Sequence, residues 1–350
     1  MPCLETATVL RHDCVGPGLY EMELSAPQIA SAAAPGQFVH IHVRPVPSDR
    51  PRPSVPDQPT SSTQRSAQPS RRLSPEPSPQ PLPQPLLRRP FSVSDADGSI
   101  GASITILYGV RGTGTQLLAN VRPGDHLDVM GPLGRGFTLP EPPPQRRPQS
   151  QPQSQSRPAP EPEPEPELQP RRPSAAGSPH ALLVGGGLGI APLVFLANTL
   201  ARNGHRVTVF YGANTAGEMQ SALRRLQASG AGSIQVFTTT LDGIAGRAGI
   251  VTDLLTTEPS ATAVGDVDYI YTCGPEPMMA AVERFAAAHR IPGEMSLETA
   301  LACGVGACLG CARRLRANPG AGPVYARVCK DGPVFSFGQV ELNPAPCGEE

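Results

Sequence analysis

The chain has almost no net charge: 29 Lys and Arg stand against 30 Asp and Glu over 350 residues, a formal charge of -1. That balance argues against a protein built to hold nucleic acid or an anionic membrane by its electrostatic field. An uninterrupted apolar span is also missing. The longest apolar stretch, Ala181 to Leu200, is broken by glycines and a proline and is amphipathic in its second half, so it does not read as a transmembrane helix. The first residues, MPCLETATVLRHDC, lack the basic start and continuous apolar core of a signal peptide, and a cytoplasmic location is expected. Hydrophobic content is low at 39%, but still that of a globular protein.

What the chain has in excess is proline, 44 residues unevenly spread. Twelve lie in 46–86 and fourteen in 140–179. Both stretches are rich in polar residues and cannot bury enough apolar surface to offset chain ordering, so both are expected to be disordered inserts. The second contains PEPEPEPEL, which favours an extended polyproline spacer and suggests a domain boundary. About 270 residues of ordinary sequence remain, enough for two medium domains and a small appendage.

The ordinary segments differ in pattern. LETATVLRH, LYEMEL and QFVHIHV, then PFSVS, SITILYGV and HLDVMG, mix β-formers with partial alternation. They predict an antiparallel barrel or sandwich over 1–139, interrupted by the insert 46–86, and the barrel is the fold expected. From His180, strand and helix signals alternate: ALLVGGG, APLVFLANTLARNG, RVTVFYGA, GEMQSALRRLQASG, IQVFTTT, DYIYTCG, PEPMMAAVERFAAAHR. This predicts a doubly wound parallel sheet over 180–292, with its ligand outside the carboxyl ends of the strands. A small cysteine-bearing domain is expected over 293–342.

Of eight cysteines, Cys303, Cys308 and Cys311 fall within nine residues, with Cys329 further on. The C-x4-C-x2-C…C spacing is that of a plant-type [2Fe–2S] cluster, and the glycines between let the loop wrap closely and turn N–H groups toward sulfur. Zinc is the rival ligand, although its sites usually come as two short C-x-x-C knuckles. Gly185-Gly186-Gly187-Leu188-Gly189 follows a strand and opens a helix, where a pyrophosphate can approach the backbone. Standing alone, such a loop also serves as a plain strand-to-helix turn. Thr272-Cys273-Gly274-Pro275 lies at a second carboxyl end of the same sheet and strengthens the ligand reading. Cys3, Cys14 and Cys347 lack partners at ligand spacing and read as ordinary thiols. His40 and His42 alternate on one strand; without a third ligand they read as strand-face packing or a flavin-edge contact. The pair Met278-Met279 reads as helix packing, and Cys273 as either a small buried residue or a nicotinamide contact.

Together with Arg89-Pro90-Phe91-Ser92 and Gly112-Thr113-Gly114-Thr115, these motifs resemble the ferredoxin–NADP reductase superfamily. The resemblance implies that Arg89 pairs with flavin phosphate, that Ser92 lies near the isoalloxazine, and that the glycine-threonine segment takes the pyrophosphate. It also implies that Gly187, Gly189, Cys273, Gly274 and Pro275 frame the nicotinamide site. Within that superfamily, SLETALACGVGACLGCARRL followed by VCKDGPVF closely resembles the electron-transfer subunits of type B dihydroorotate dehydrogenase. The likeness spans 1–45, 87–139 and 180 to about 342. It implies FAD and one [2Fe–2S] cluster in this chain, NAD as substrate, and a partner subunit that carries FMN and oxidises dihydroorotate in pyrimidine (UMP) synthesis. Two copies of each chain are expected, and the catalytic base belongs to the partner.

Several residues depart from that pattern. Both proline-rich segments are foreign to it. Gly109 follows the aromatic Tyr108 where a polar or basic residue is expected, with Arg111 a substitute. The gap from Cys311 to Cys329 is long, and 317–323 reads as a hairpin loop. No Arg or Lys stands in Tyr211 to Ala216 to meet a 2′-phosphate, which favours NAD over NADP. Two rival functions remain open: a related subunit of the sulfide dehydrogenase or ferredoxin–NADP transhydrogenase type, and a zinc-stabilised scaffold whose proline-rich inserts recruit partner domains.

Overall fold

In a computed structural model the described residues are 2–44, 87–98, 102–140, 178–228, 234–257, 266–316 and 322–342. The expected inserts (but for Pro140, Ser178 and Pro179), most of the expected 317–323 loop, and Cys347 lie outside them.

The first half is a closed antiparallel barrel, as its alternation predicts. Its strands are β1 (Cys3–Gly16), β2 (Leu19–Ser25), β3 (Phe38–His42), β4 (Arg89–Asp97), β5 (Ser103–Gly109) and β6 (His126–Leu133), in the order β1-β2-β5-β4-β3-β6. Closure leaves no free strand edge. Alternate residues such as Met22, Leu24, Val39, Ile41, Ile104 and Ile106 fill the interior. Two short helices were not foreseen, α1 (Pro27–Ala32) and α2 (Thr113–Leu118). Each has only six residues, below the length at which periodicity is readable.

The second half is the expected doubly wound sheet. Its elements are β7 (His180–Gly186), α3 (Ile190–Arg202), β8 (Arg206–Ala213), α4 (Ala216–Ala228), β9 (Ile234–Thr240), β10 (Arg247–Ala248), α5 (Leu254–Thr257), β11 (Tyr269–Cys273) and α6 (Glu276–His289). Side chains alternate between the faces. Ala181, Leu183, Val207 and Val209 pack with α3 and α4, whereas Leu182, Val184, Phe210 and Ile270 pack with α5 and α6. The apolar stretch Ala181 to Leu200 is explained by this packing: β7 is covered on both faces, and α3 is wedged between sheet and barrel. Eleven of the thirteen residues of α3 are buried, and Phe195 enters the barrel core.

The sheet continues past the expected boundary at 292/293. The remaining strands are β12 (Gly293–Ser296), β13 (Ala312–Arg314), β14 (Tyr325–Arg327) and β15 (Val334–Ser336). Strand β12 pairs in parallel with β11, and β15 then pairs antiparallel with β12, so the sheet order is β10-β9-β8-β7-β11-β12-β15. The cysteine-bearing segment thus leaves the sheet and returns to it. Strands of three and four residues carry no period of their own, and their pairing is non-local, so sequence pattern could not reveal them. Among the described residues no helix is long and apolar enough to cross a membrane.

One ion pair ties barrel to sheet layer. Glu21 on β2 accepts from Arg225 on α4 at 2.7 and 2.8 Å, from the Ser221 hydroxyl, and from Arg11 at 2.8 Å. Burial pushes the Glu21 carboxyl up, but hydrogen bonds from Arg225 and Ser221 and the charges of Arg225 and Arg11 outweigh it and hold it below its ordinary value. Arg225→Ala should therefore cost between about 1 and 3 kcal/mol, between the limits for exposed and fully buried pairs. A carboxyl held low contributes stability above its unfolded pKa and loses it as pH falls through the folded value. The stability gap between wild type and variant, read by urea unfolding, should close over that acid range; a gap independent of pH would contradict the pair's role.

Candidate functional site

A cavity of about 890 Å³ opens between barrel and sheet. Its barrel wall is Pro90, Phe91 and Ser92 on β4 with Tyr108 and Gly109 on β5 and Arg111 after it. The Phe91 ring meets Tyr108 edge-on at 5.5 Å, and the Tyr108 hydroxyl is 2.8 Å from His12 Nε2, which fixes that wall. Of the residues expected at the flavin, Pro90, Phe91, Ser92 and Thr115 line the cavity, whereas Arg89, Gly112, Thr113 and Gly114 do not. The two motifs nevertheless meet. A Cβ on Gly114 would lie 2.7 Å from Arg89 Nε, so the arginine lies across that glycine. The Thr115 hydroxyl is used locally, accepting from the amides of Arg111 and Gly112 at 2.9 and 3.2 Å to hold the start of α2.

The opposite wall is formed by carboxyl ends of parallel strands, where a doubly wound sheet gathers its ligand. Gly187 and Gly189 line it after β7, Asn214 after β8, Thr239 on β9, and Gly274 and Pro275 after β11. Gly189 is required by close approach: a Cβ there would lie 2.4 Å from the Cys273 carbonyl oxygen. The Cys273 side chain itself is buried and is not part of the cavity lining, so only its backbone frames the site. Burial raises its thiol pKa well above the ordinary value. Met279 is core, whereas Met278 reaches the cavity and would meet a Cβ on Gly186 at 2.7 Å.

A third wall was not foreseen. Leu297, Glu298, Thr299 and Leu301 follow β12, and Val328 and Pro333 come from the cysteine-bearing segment. Glu298 is exposed to the cavity, whose walls raise its carboxyl pKa while the Arg111 charge opposes them. Arg111 was identified in sequence by its place after Tyr108. Glu298 carries no motif of its own and becomes visible only when β12 is seen to end at the cavity.

The four cysteines singled out by their spacing form two pairs. Cys303 lies beside Cys308, whose amide donates to Cys303 Sγ at 3.5 Å and lowers its pKa to about 6. Cys311 and Cys329 are buried together, set by the pairing of Ala312 with Arg327 between β13 and β14. Burial pushes Cys329 up to about 12, against a 3.1 Å hydrogen bond from the Gly306 amide. Among the described residues no three His, Cys, Asp or Glu converge as ligands for a single metal ion. Two neighbouring pairs of thiols match the donor set of a centre of two irons, each taking two thiolates.

The two strand histidines separate. His42 Nδ1 lies 3.4 Å from Arg44, whereas His40 is fully buried beside the cysteine loop rather than at the cavity, and burial followed by the Arg88 charge lowers its pKa to about 4.

Comparison with known proteins decides the family. A relative from Geobacillus thermodenitrificans (strain NG80-2), "Dihydroorotate dehydrogenase B (NAD(+)), electron transfer subunit", is 33% identical over 97% of this chain and 98% of its own length. One of the same name from Bacillus caldolyticus is 34% identical over 97% of this chain and 98% of its own. The chain belongs to this family of electron transfer subunits. Family models agree segment by segment: the iron-sulfur cluster binding domain of dihydroorotate dehydrogenase B matches 298–341, and the oxidoreductase NAD-binding domain matches 183–284. Among solved structures, a chain of the NADH-dependent reduced ferredoxin-NADP oxidoreductase superposes with a TM-score of 0.65 at 21% identity, over 97% of this chain and 90% of that one. A ferredoxin NADP+ reductase from Neisseria gonorrhoeae, with bound FAD and NADP, superposes at 0.50 and 14% identity, over 82% of this chain and 91% of that one. At those identities the structures share the fold. The transhydrogenase-type alternative rests on fold likeness alone, whereas the dihydroorotate dehydrogenase reading rests on identity along nearly the whole chain.

Gly189→Ala places a methyl against a backbone oxygen that cannot swing aside. We expect the Kd for NADH to rise at least about tenfold, or about 1.4 kcal/mol, with flavin content retained. Unchanged NADH affinity in a fluorescence titration would show that the β7–α3 and β11–α6 turns do not form the nucleotide site.

Proposed function

We propose that this chain passes electrons between an FMN-containing dihydroorotate dehydrogenase catalytic subunit and NAD+, through a [2Fe–2S] cluster and FAD, in pyrimidine synthesis. The observation that carries this reading is the single cavity walled by the barrel motif, the carboxyl ends of the nucleotide strands and the cysteine-bearing segment. Bound there, FAD would supply the exchange between a hydride at the nicotinamide and single electrons at the cluster. The chain's own residues bind and orient. Arg89 offers a forked donor to flavin phosphate, with Gly112, Thr113, Gly114 and Thr115 bringing the backbone close. Pro90, Phe91 and Ser92 support the ring. Gly187 and Gly189 admit the pyrophosphate at the start of α3, and Gly274 and Pro275 hold the nicotinamide end. Cys303, Cys308, Cys311 and Cys329 hold the cluster.

Charge supports NAD over NADP. After β8 the Asn214 amide donates to Glu218 Oε2 at 3.1 Å, which sets a carboxylate beside the cavity where a 2′-phosphate would need a cation. Two copies of each subunit and a cytoplasmic location complete the proposal. The match of 298–341 to an iron-sulfur cluster binding domain supports the cluster over the zinc scaffold.

Cys308→Ser should remove the cluster and leave FAD bound, because Cys308 is exposed and its loop carries little of the core. In anaerobic stopped flow, flavin reduction by NADH should survive within about threefold while transfer to the partner falls by at least about a hundredfold, roughly 2.7 kcal/mol in barrier. Partner-coupled turnover at the wild-type rate would overturn the route through the cluster.

A further inference from the structure

His40 is fully buried in the middle of β3, opposite Pro90 of β4 and Met130 of β6. Among the described residues neither ring nitrogen has a hydrogen-bond partner. A neutral imidazole carries one N–H, and burying that donor unmet costs free energy. The contrast with other histidines is direct. His12 reaches Val121 O and Tyr108, and His180 reaches Asp266 O and Thr208, with both nitrogens engaged in each case. His205 is also unpartnered, but it lies at the amino end of β8, away from the ligand-bearing end of the sheet.

What distinguishes His40 is its neighbour. A Cβ on Gly304 would lie 2.6 Å from His40 Cε1 and 2.8 Å from Nδ1. Gly304, at φ +72, follows Cys303 directly. Nε2 follows at 3.0 Å, so the ring edge Nδ1–Cε1–Nε2 is pressed against the backbone of the cysteine loop, and only glycine fits between. Thiolate and sulfide sulfurs accept hydrogen bonds, and such bonds help set the potential of an iron–sulfur centre.

We propose that His40 donates a hydrogen bond from the barrel to a sulfur of the cluster and holds its reduction potential up. The proposal rests on the cluster reading above. A donor aimed at sulfur favours the reduced cluster, which carries more negative charge, and a neutral imidazole does so without adding charge. His40 is a positioning residue: it acts on the potential, not on a reacting atom.

The test is an EPR-monitored redox titration of the holoprotein, with His40→Leu and His40→Gln beside wild type. We expect the cluster midpoint to move negative in His40→Leu and to recover in part in His40→Gln, which keeps an N–H, while flavin potential and iron content stay unchanged. Equal cluster potentials in all three would overturn the proposal. Should the leucine variant fail to take up iron, pulsed EPR of reduced wild type labelled with 15N-histidine decides. A histidine nitrogen coupling supports the hydrogen bond, and a normal [2Fe–2S] signal without that coupling refutes it. A wild-type holoprotein with no [2Fe–2S] signal would overturn the cluster reading and this inference together.

Discussion

Strand β12 is the constraint on which the arrangement depends. Its four residues pair in parallel with β11 on one edge, and three of them pair antiparallel with β15 on the other. The chain therefore departs from the nucleotide sheet at Ser296, carries all four cysteines, and re-enters the same sheet at Val334. Both ends of the cysteine-bearing segment are anchored by backbone ladders beside the strands that end at the cavity. Glu294 on β12 adds a clasp to the barrel's exit: its carboxylate accepts from the amide and hydroxyl of Thr138 at 2.7 and 2.8 Å. Flavin wall, nucleotide wall and cluster loop are thereby fixed to one another rather than strung on linkers, which is what electron passage between separate centres needs.

Close backbone approach does the rest. Gly189 against the Cys273 carbonyl, Gly114 beneath Arg89 and Gly304 against His40 each mark a place where two motifs distant in sequence touch. In each, the glycine and its partner come from separate segments of the chain. The glycines of this chain therefore report tertiary contacts as much as ligand contacts.

Much of this was readable in the sequence. The barrel strands and the parallel strands announce themselves by alternation and by strand-helix order, and the cysteine spacing is local, so no tertiary knowledge was needed to find it. Other features depend on pairings that sequence does not display. Glu21 meets Arg225 across about two hundred positions. Strands β12 and β15 are too short to carry a period, so the continuation of the sheet past residue 292 was not visible. Glu298 comes to the cavity because β12 ends there. His40 looked like strand packing because its counterpart, Gly304, is one glycine among several in the cysteine loop, and nothing in its own neighbourhood singles it out.

The central claim, that this fold holds a two-iron centre and a flavin against one nucleotide site, is tested most directly by the metal and flavin content of the anaerobically purified protein, read with its absorbance spectrum. The account predicts two irons and one FAD per chain, no zinc, and overlapping bands of flavin and [2Fe–2S]. A colourless protein holding one zinc per chain would contradict it.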